Sequence, residues 1–323
     1  MAGHNSKARH ASAIGVDAIA SLSPSFFKPA NEGAGIEIAK TMFGIISGMD
    51  IGPVRLPISK ITTETYNSLK KDLNEDINFD KFGESADYFN NNHIPYAFVN
   101  GTVGEGMSMT VDERKESAEV WVKAAKGKVK IILHVGANNI RDSQELARHG
   151  SSIGVDATAS LCPSFFKPAN EVDPSKILQR AKDRVPNLVG VKHTSKEVRK
   201  VYNSSLVDPS RFQVLMGTEA EFLPYFSLGI DFPVTLPYMG TLFYKLKKAY
   251  DSGDKNTALK IQTRMFELDA IRGKYGAGIE VAKAMFDIIS GIDVGPVRLP
   301  ISKLTKDDYN LLKHDLMAFG SVN

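Results

Sequence analysis

Asn187-Leu188-Val189-Gly190-Val191-Lys192-His193-Thr194-Ser195 is a short apolar run that meets a lysine near its end. A buried strand reads as apolar, and a lysine at its C-terminal end sits where a sheet opens to a pocket. In an eight-stranded parallel barrel that face carries the chemistry. A partly desolvated lysine there can lose its proton, attack a carbonyl and form a Schiff base. A lysine that stands alone past a strand is more often just solvated, so the reading needs a second feature.

Ala97-Phe98-Val99-Asn100-Gly101-Thr102-Val103-Gly104-Glu105-Gly106 supplies it, an apolar strand that runs into a glycine-rich turn with a hydroxyl. Glycines let successive backbone N–H groups converge into a concave anion site. The turn is no nucleotide P-loop, because no Gly-Lys-Ser/Thr follows it. Together the two segments resemble the N-acetylneuraminate lyase branch of the pyruvate-dependent class I aldolases, within the dihydrodipicolinate synthase superfamily. The family's G-[ST]-[ST]-G-E loop matches Gly101 to Glu105, and its Schiff-base lysine in a G-x-K-x-[ST] setting matches Lys192. The resemblance runs from Ile77 to the C-terminus, with one large gap.

It implies a TIM (β/α)8-type barrel with C-terminal helices, and a homotetramer. It also implies reversible cleavage of sialic acid to N-acetylmannosamine and pyruvate, with no metal and no diffusible cofactor. Lys192 would be the nucleophile, held neutral by burial. Thr102 and the Val103 amide would hold the pyruvate carboxylate, and Gly217, Glu219 and Thr235 would line the sugar end. There are departures. Val103 stands where the family has a second hydroxyl. The sugar-contacting G-x-D-E becomes Gly217-Thr218-Glu219-Ala220, with one carboxylate gone, and G-S-T-Y becomes Thr235-Leu236-Pro237-Tyr238. Phe165 replaces a tyrosine that in some members reaches a neighbouring subunit. The family's proton-relaying tyrosine, in a Y-x-x-P setting, has no counterpart. Tyr238 is the one tyrosine that can be placed near a barrel mouth. Loss of a general acid/base typically costs about 10²–10⁴ in rate.

Composition sets the outer bounds. At 323 residues the chain can bury a large core. Hydrophobic content of 42% and charged content of 24% are those of a globular protein. A net charge of +3 with mixed signs gives no nucleic-acid footprint. A single cysteine, Cys162, excludes an intramolecular disulfide and suits a reducing compartment. No apolar run is long enough for a membrane span. Met1-Ala-Gly-His-Asn-Ser-Lys lacks an apolar signal core, so the cytoplasm is expected.

The chain also repeats itself. Residues 9–32 match residues 148–171 at 20 of 24 positions, and residues 33–73 match residues 276–316 at 30 of 41. The two blocks abut at the N-terminus and lie far apart in the body. The shared words end at Glu32 and again at Glu171, each with a different continuation. One segment end with two continuations reads like an exon junction joined two ways. We therefore divide the chain into a duplicated fragment, 1–76, and a barrel body with C-terminal helices, 77–323.

In the body, helix and strand patterns alternate, as in a parallel α/β fold. Strands are expected at Tyr96–Asn100, Lys130–Val135, Val155–Leu161, the Lys192 run, Phe212–Met216 and Phe232–Leu236. Thr110-x-x-Glu113 is a capping box opening a helix that carries Trp121. Asp173-Pro174 starts another helix. The barrel therefore reads as incomplete: its first strand is missing before Ile77, and its fourth helix and fifth strand are missing after Glu171. The copy Val16–Leu22 could fill the first-strand place. His134 reads as a core or pocket-wall residue, and His193 as pointing away from the pocket, since strand neighbours alternate faces. Cys162 reads as an inert thiol, and Arg55 and Arg298 as structural. No metal-ligand spacing occurs. Three readings stay open: the sialic acid lyase, an inactive relative, and an aldolase for another 2-oxo acid.

Overall fold

The structure, a computed structural model, describes residues 77–160, 174–194, 197–217, 220–298 and 301–320. Cys162, Phe165, Asp173, Thr218, Glu219 and the whole duplicated fragment, Val16–Leu22 included, lie outside those residues.

Helices and strands alternate through the body. The order is α1 (Lys81–Asn91), β1 (Tyr96–Val99), α2 (Val111–Ala125), β2 (Lys130–His134), α3 (Ile140–Ile153) and β3 (Ala157–Ala159). There follow α4 (Pro174–Ala181), β4 (Gly190–His193), α5 (Val198–Ser205), β5 (Gln213–Met216), α6 (Leu223–Phe226) and β6 (Phe232–Pro233). Four longer helices close the chain: α7 (Gly240–Asp251), α8 (Lys255–Lys274), α9 (Ile279–Ser290) and α10 (Lys306–Phe319).

The strands form two parallel three-stranded sheets, β1-β2-β3 and β4-β5-β6. Phe98 faces Ile132 across one ladder and Lys192 faces Leu215 across the other. Among the described residues α2, α4 and α5 each lie against the strand that follows, as in the repeating unit of parallel barrels. Against the eight strands of such a barrel, the described residues carry six.

Local sequence explains the elements. The Thr110 hydroxyl accepts from the Glu113 N–H at 3.1 Å, and the Glu113 carboxylate accepts from the Thr110 N–H at 2.7 Å. That reciprocal box starts α2, and such a cap stabilises a helix by about 1 kcal/mol. The apolar runs of β1 and β2 bury Ala97, Val99, Ile131 and Leu133, which pack with Ala118 and Leu146. A second, larger core gathers Met216, Phe222, Leu246, Leu268 and Met285 from β5, the start of α6 and the C-terminal helices. Truncating Leu133, only 1% exposed, to alanine is expected to cost about 2–5 kcal/mol, measurable by urea unfolding.

Two expected elements are shorter than the sequence suggests. The strand expected at Val155–Leu161 is Ala157–Ala159 among the described residues, and the strand expected at Phe232–Leu236 is the pair Phe232–Pro233. Pro233 lacks the N–H that pairing on the outer side of β6 would need. Tyr238 is also corrected. It follows β6 as expected, yet its side chain is 1% exposed and its hydroxyl reaches Met285 Sδ at 3.6 Å. The phenol lies in the core beside α9, which argues against a substitute acid at the barrel mouth.

Candidate functional site

Lys192 stands on β4, and the three strands of its sheet end in line. The Gly217 N–H donates to the His193 carbonyl at 3.0 Å, and the Val234 N–H donates to the Met216 carbonyl at 2.6 Å. Lys192, Gly217 and Thr235 are thereby gathered at one end of this sheet. They belong to three different strands or strand ends, so it is the ladder that brings them together. Along β4 itself, Lys192 and Thr194 share a face.

Gly217 is there because nothing larger fits. A Cβ at Gly217 would stand 2.1 Å from Thr194 Oγ1 and 3.0 Å from Lys192 Cε. The lysine stem and the threonine hydroxyl both lie against the bare Cα. Across the interior, Lys192 Nζ lies 5.0 Å from the centre of the Phe98 ring. Phe98 belongs to β1, in the other sheet, so the ammonium spans the space between the two sheets. An aromatic face at this distance attracts a cation while shielding it from water.

The glycine-rich turn follows β1. A Cβ at Gly101 would come within 2.8 Å of the Phe98 ring, so one ring touches both the turn and the lysine. The turn folds tightly: the Gly106 N–H donates to the Gly101 carbonyl at 3.1 Å, and the Glu105 N–H to the Thr102 carbonyl at 3.1 Å. Thr102 and Val103 are exposed at its tip. Two non-glycine residues bracket it at positive φ, Asn100 at 58° and Glu105 at 52°.

Below the turn lies a buried polar network that sequence reading identifies only in part. His134 is 2% exposed, and its Nδ1 lies 3.1 Å from the Asn100 carbonyl. A proton on Nδ1 would serve that carbonyl, whereas a bare Nδ1 would accept from Arg114 Nη2, which lies 3.4 Å from the same atom. Arg114 is 3% exposed and donates to the His134 carbonyl at 2.5 Å and the Gly136 carbonyl at 3.0 Å. The Asn100 side chain donates to the Arg114 carbonyl and accepts from the Ser117 hydroxyl, both at 3.0 Å. Burial, then the charge of Arg114, push the His134 pKa down to about 4, partly offset by the bond to Asn100, and Lys192 adds the smallest downward push. His134 is therefore a neutral wall residue at neutral pH. Burial also lowers the Arg114 pKa to about 10, which leaves it charged at neutral pH.

The His134 shift carries a sign. Its folded pKa lies below the unfolded value of about 6.5, so the unfolded chain binds the extra proton first. Stability is expected to fall as pH drops from about 6.5 to about 4, by up to roughly 3 kcal/mol from this residue. Urea unfolding across that range checks it, and the slope should flatten in His134→Gln.

His193, expected to point away from the pocket, is buried at 6% exposure. Among the described residues no group of three metal-ligating side chains occurs, and no helix is long and apolar enough to cross a membrane. Residues that sequence reading missed include Phe98, Thr194 and Arg114. The Gly-x-Lys-x-Thr word holds a signal for Thr194, because positions two apart on a strand share a face.

A family model described as the dihydrodipicolinate synthetase family matches residues 74–173 and 170–319. The chain belongs to this family. The two matched stretches overlap at residues 170–173, around Glu171, where the copied block ends. A curated relative from Xenopus tropicalis, N-acetylneuraminate lyase, is 33% identical over 285 residues, which is 76% of this chain and 93% of the relative. N-acetylneuraminate lyase of Proteus mirabilis superposes with a TM-score of 0.71 at 25% identity, covering 75% of this chain and 92% of that one. A catalytic lysine mutant of Ruminococcus gnavus sialic acid aldolase gives 0.69 at 26% identity, covering 76% and 90%. The family and these relatives are carbon–carbon lyases, and the fold is the family's TIM-type barrel.

Proposed function

We propose that this chain is a Schiff-base aldolase that cleaves sialic acid to N-acetylmannosamine and pyruvate. The observation that carries the reading is Lys192 at the end of β4, its stem against Gly217 and its Nζ over Phe98 beside the glycine-rich turn. The neutral amine adds to the C2 carbonyl of the open-chain sugar, and loss of water leaves an imine. Its protonated form draws the electrons of the C3–C4 bond as the C4 hydroxyl gives up its proton, releasing N-acetylmannosamine. The resulting enamine takes a proton at C3. Water then hydrolyses the imine, which frees pyruvate and restores Lys192. The amides of Thr102 and Val103 hold the carboxylate throughout, with the Thr102 hydroxyl, because a turn of converging N–H groups favours an anion. Gly217, Glu219 and Thr235 line the sugar end. A homotetramer in the cytoplasm completes the proposal.

Two sequence observations favour other readings. The altered Gly217–Ala220 stretch favours another 2-oxo acid aldol as substrate. The absent Y-x-x-P tyrosine favours an inactive relative. A substrate panel separates the three. The proposal expects pyruvate release from N-acetylneuraminate at a rate about 10²–10⁴ below that of a family enzyme with its general acid/base intact. Release from other 2-oxo aldols alone would replace the substrate, and no release from any would favour the inactive relative.

A further inference from the structure

The Glu105 side chain leaves the turn and reaches the C-terminal helices. It is 7% exposed. Oε2 accepts from Lys283 Nζ of α9 at 2.7 Å, and Oε1 accepts from the Arg298 N–H at 2.6 Å. Lys283 also donates to the Pro296 carbonyl at 2.7 Å, which binds the same segment. We propose that Glu105 is a positioning residue, whose carboxylate clamps the 101–106 turn to α9 and the 296–298 segment and so sets the geometry in which the turn receives a 2-oxo acid carboxylate. The inference rests on the aldolase reading above.

The turn needs such a clamp at this end. Left-handed backbone at a non-glycine residue is unfavourable and persists only where surrounding contacts over-determine it. Asn100, at the other end, is fixed by Arg114 and Ser117. Glu105 has the two contacts from the C-terminal segment. The turn is also pressed inward: a Cβ at Gly106 would stand 2.0 Å from the Asn100 carbonyl oxygen. The exposed tip, Thr102 and Val103, is thus held between two fixed ends. The Arg298 guanidinium adds a parallel tie, donating to Glu113 Oε1 at 2.7 Å at the start of α2. A buried carboxylate that loses its charge leaves its cationic partner uncompensated, so the clamp is sensitive to a single atom change.

The test is made at Glu105, because the copied block repeats Lys283 and Arg298 as Lys40 and Arg55, whereas Glu105 has no copy. In Glu105→Gln, the pyruvate concentration that half-saturates borohydride trapping should rise about tenfold, with the saturating rate changed less than about twofold. Hydrogen exchange at the amides of residues 102–106 should quicken about tenfold or more. Glu105→Asp, which keeps the charge, should recover most of the affinity. Adding Lys283→Met to Glu105→Gln should cost less than Lys283→Met costs on its own, since the two changes share one ion pair and only the Pro296 contact is left to lose. Unchanged half-saturation and unchanged exchange, whatever happens to the melting temperature, would overturn the clamp. Wild-type protein that traps no pyruvate would sink the aldolase reading, and with it the carboxylate role, while the exchange comparison would still decide whether Glu105 holds the turn.

Discussion

Gly217→Ala is expected to lower imine formation at Lys192 by about 10²-fold or more, the typical effect of displacing a reacting group by about an ångström. The added methyl would meet Thr194 Oγ1 at 2.1 Å, a separation that real side chains do not adopt. Turning the threonine hydroxyl aside does not solve the problem, because Thr194 Cβ remains at 3.1 Å and Lys192 Cε at 3.0 Å. The lysine stem has to move, and its amine moves with it. Borohydride trapping with pyruvate, read as a rate by intact mass, checks this. Trapping at the wild-type rate would mean that the lysine does not use the path along Gly217.

The second large effect is on stability. Arg114→Met is expected to destabilise the fold by about 2–4 kcal/mol. Two charge-assisted bonds to the His134 and Gly136 carbonyls are lost, at about 1.5–3 kcal/mol each, and relief of guanidinium desolvation returns part of that. The His134 carbonyl and the Asn100 side chain sit directly under the glycine-rich turn, so the damage should reach the site as well. Denaturant unfolding checks the loss. A change within about 0.5 kcal/mol, the usual range for surface substitutions, would show that the network is not a support.

Much of the fold was legible because it rests on local rules. The capping box at Thr110 and Glu113 forms as the spacing requires. The apolar runs that end at Val99, His134 and Met216 are strands because each is buried between a sheet neighbour and a covering helix. Lys192 was legible for the same reason, as a charge at the end of an apolar strand. What was not legible depends on contacts distant in sequence. The pairing of Glu105 with Lys283 joins residues far apart in the chain, and no local pattern announces it. Arg298 looked structural, and its side chain is, but its backbone N–H also holds the turn. In the sequence Phe98 is only one letter of the apolar run before the turn, yet its ring faces Lys192 from the opposite sheet. Tyr238 misled because position along the chain set it near the barrel mouth, while packing against Met285 turned its hydroxyl into the core.

The most direct measurement is borohydride trapping of the full chain with pyruvate, followed by peptide mapping. The account predicts a single pyruvyl adduct on Lys192, absent in Lys192→Arg. A sample that unfolds cooperatively yet carries no adduct, or carries it on another lysine, would contradict it.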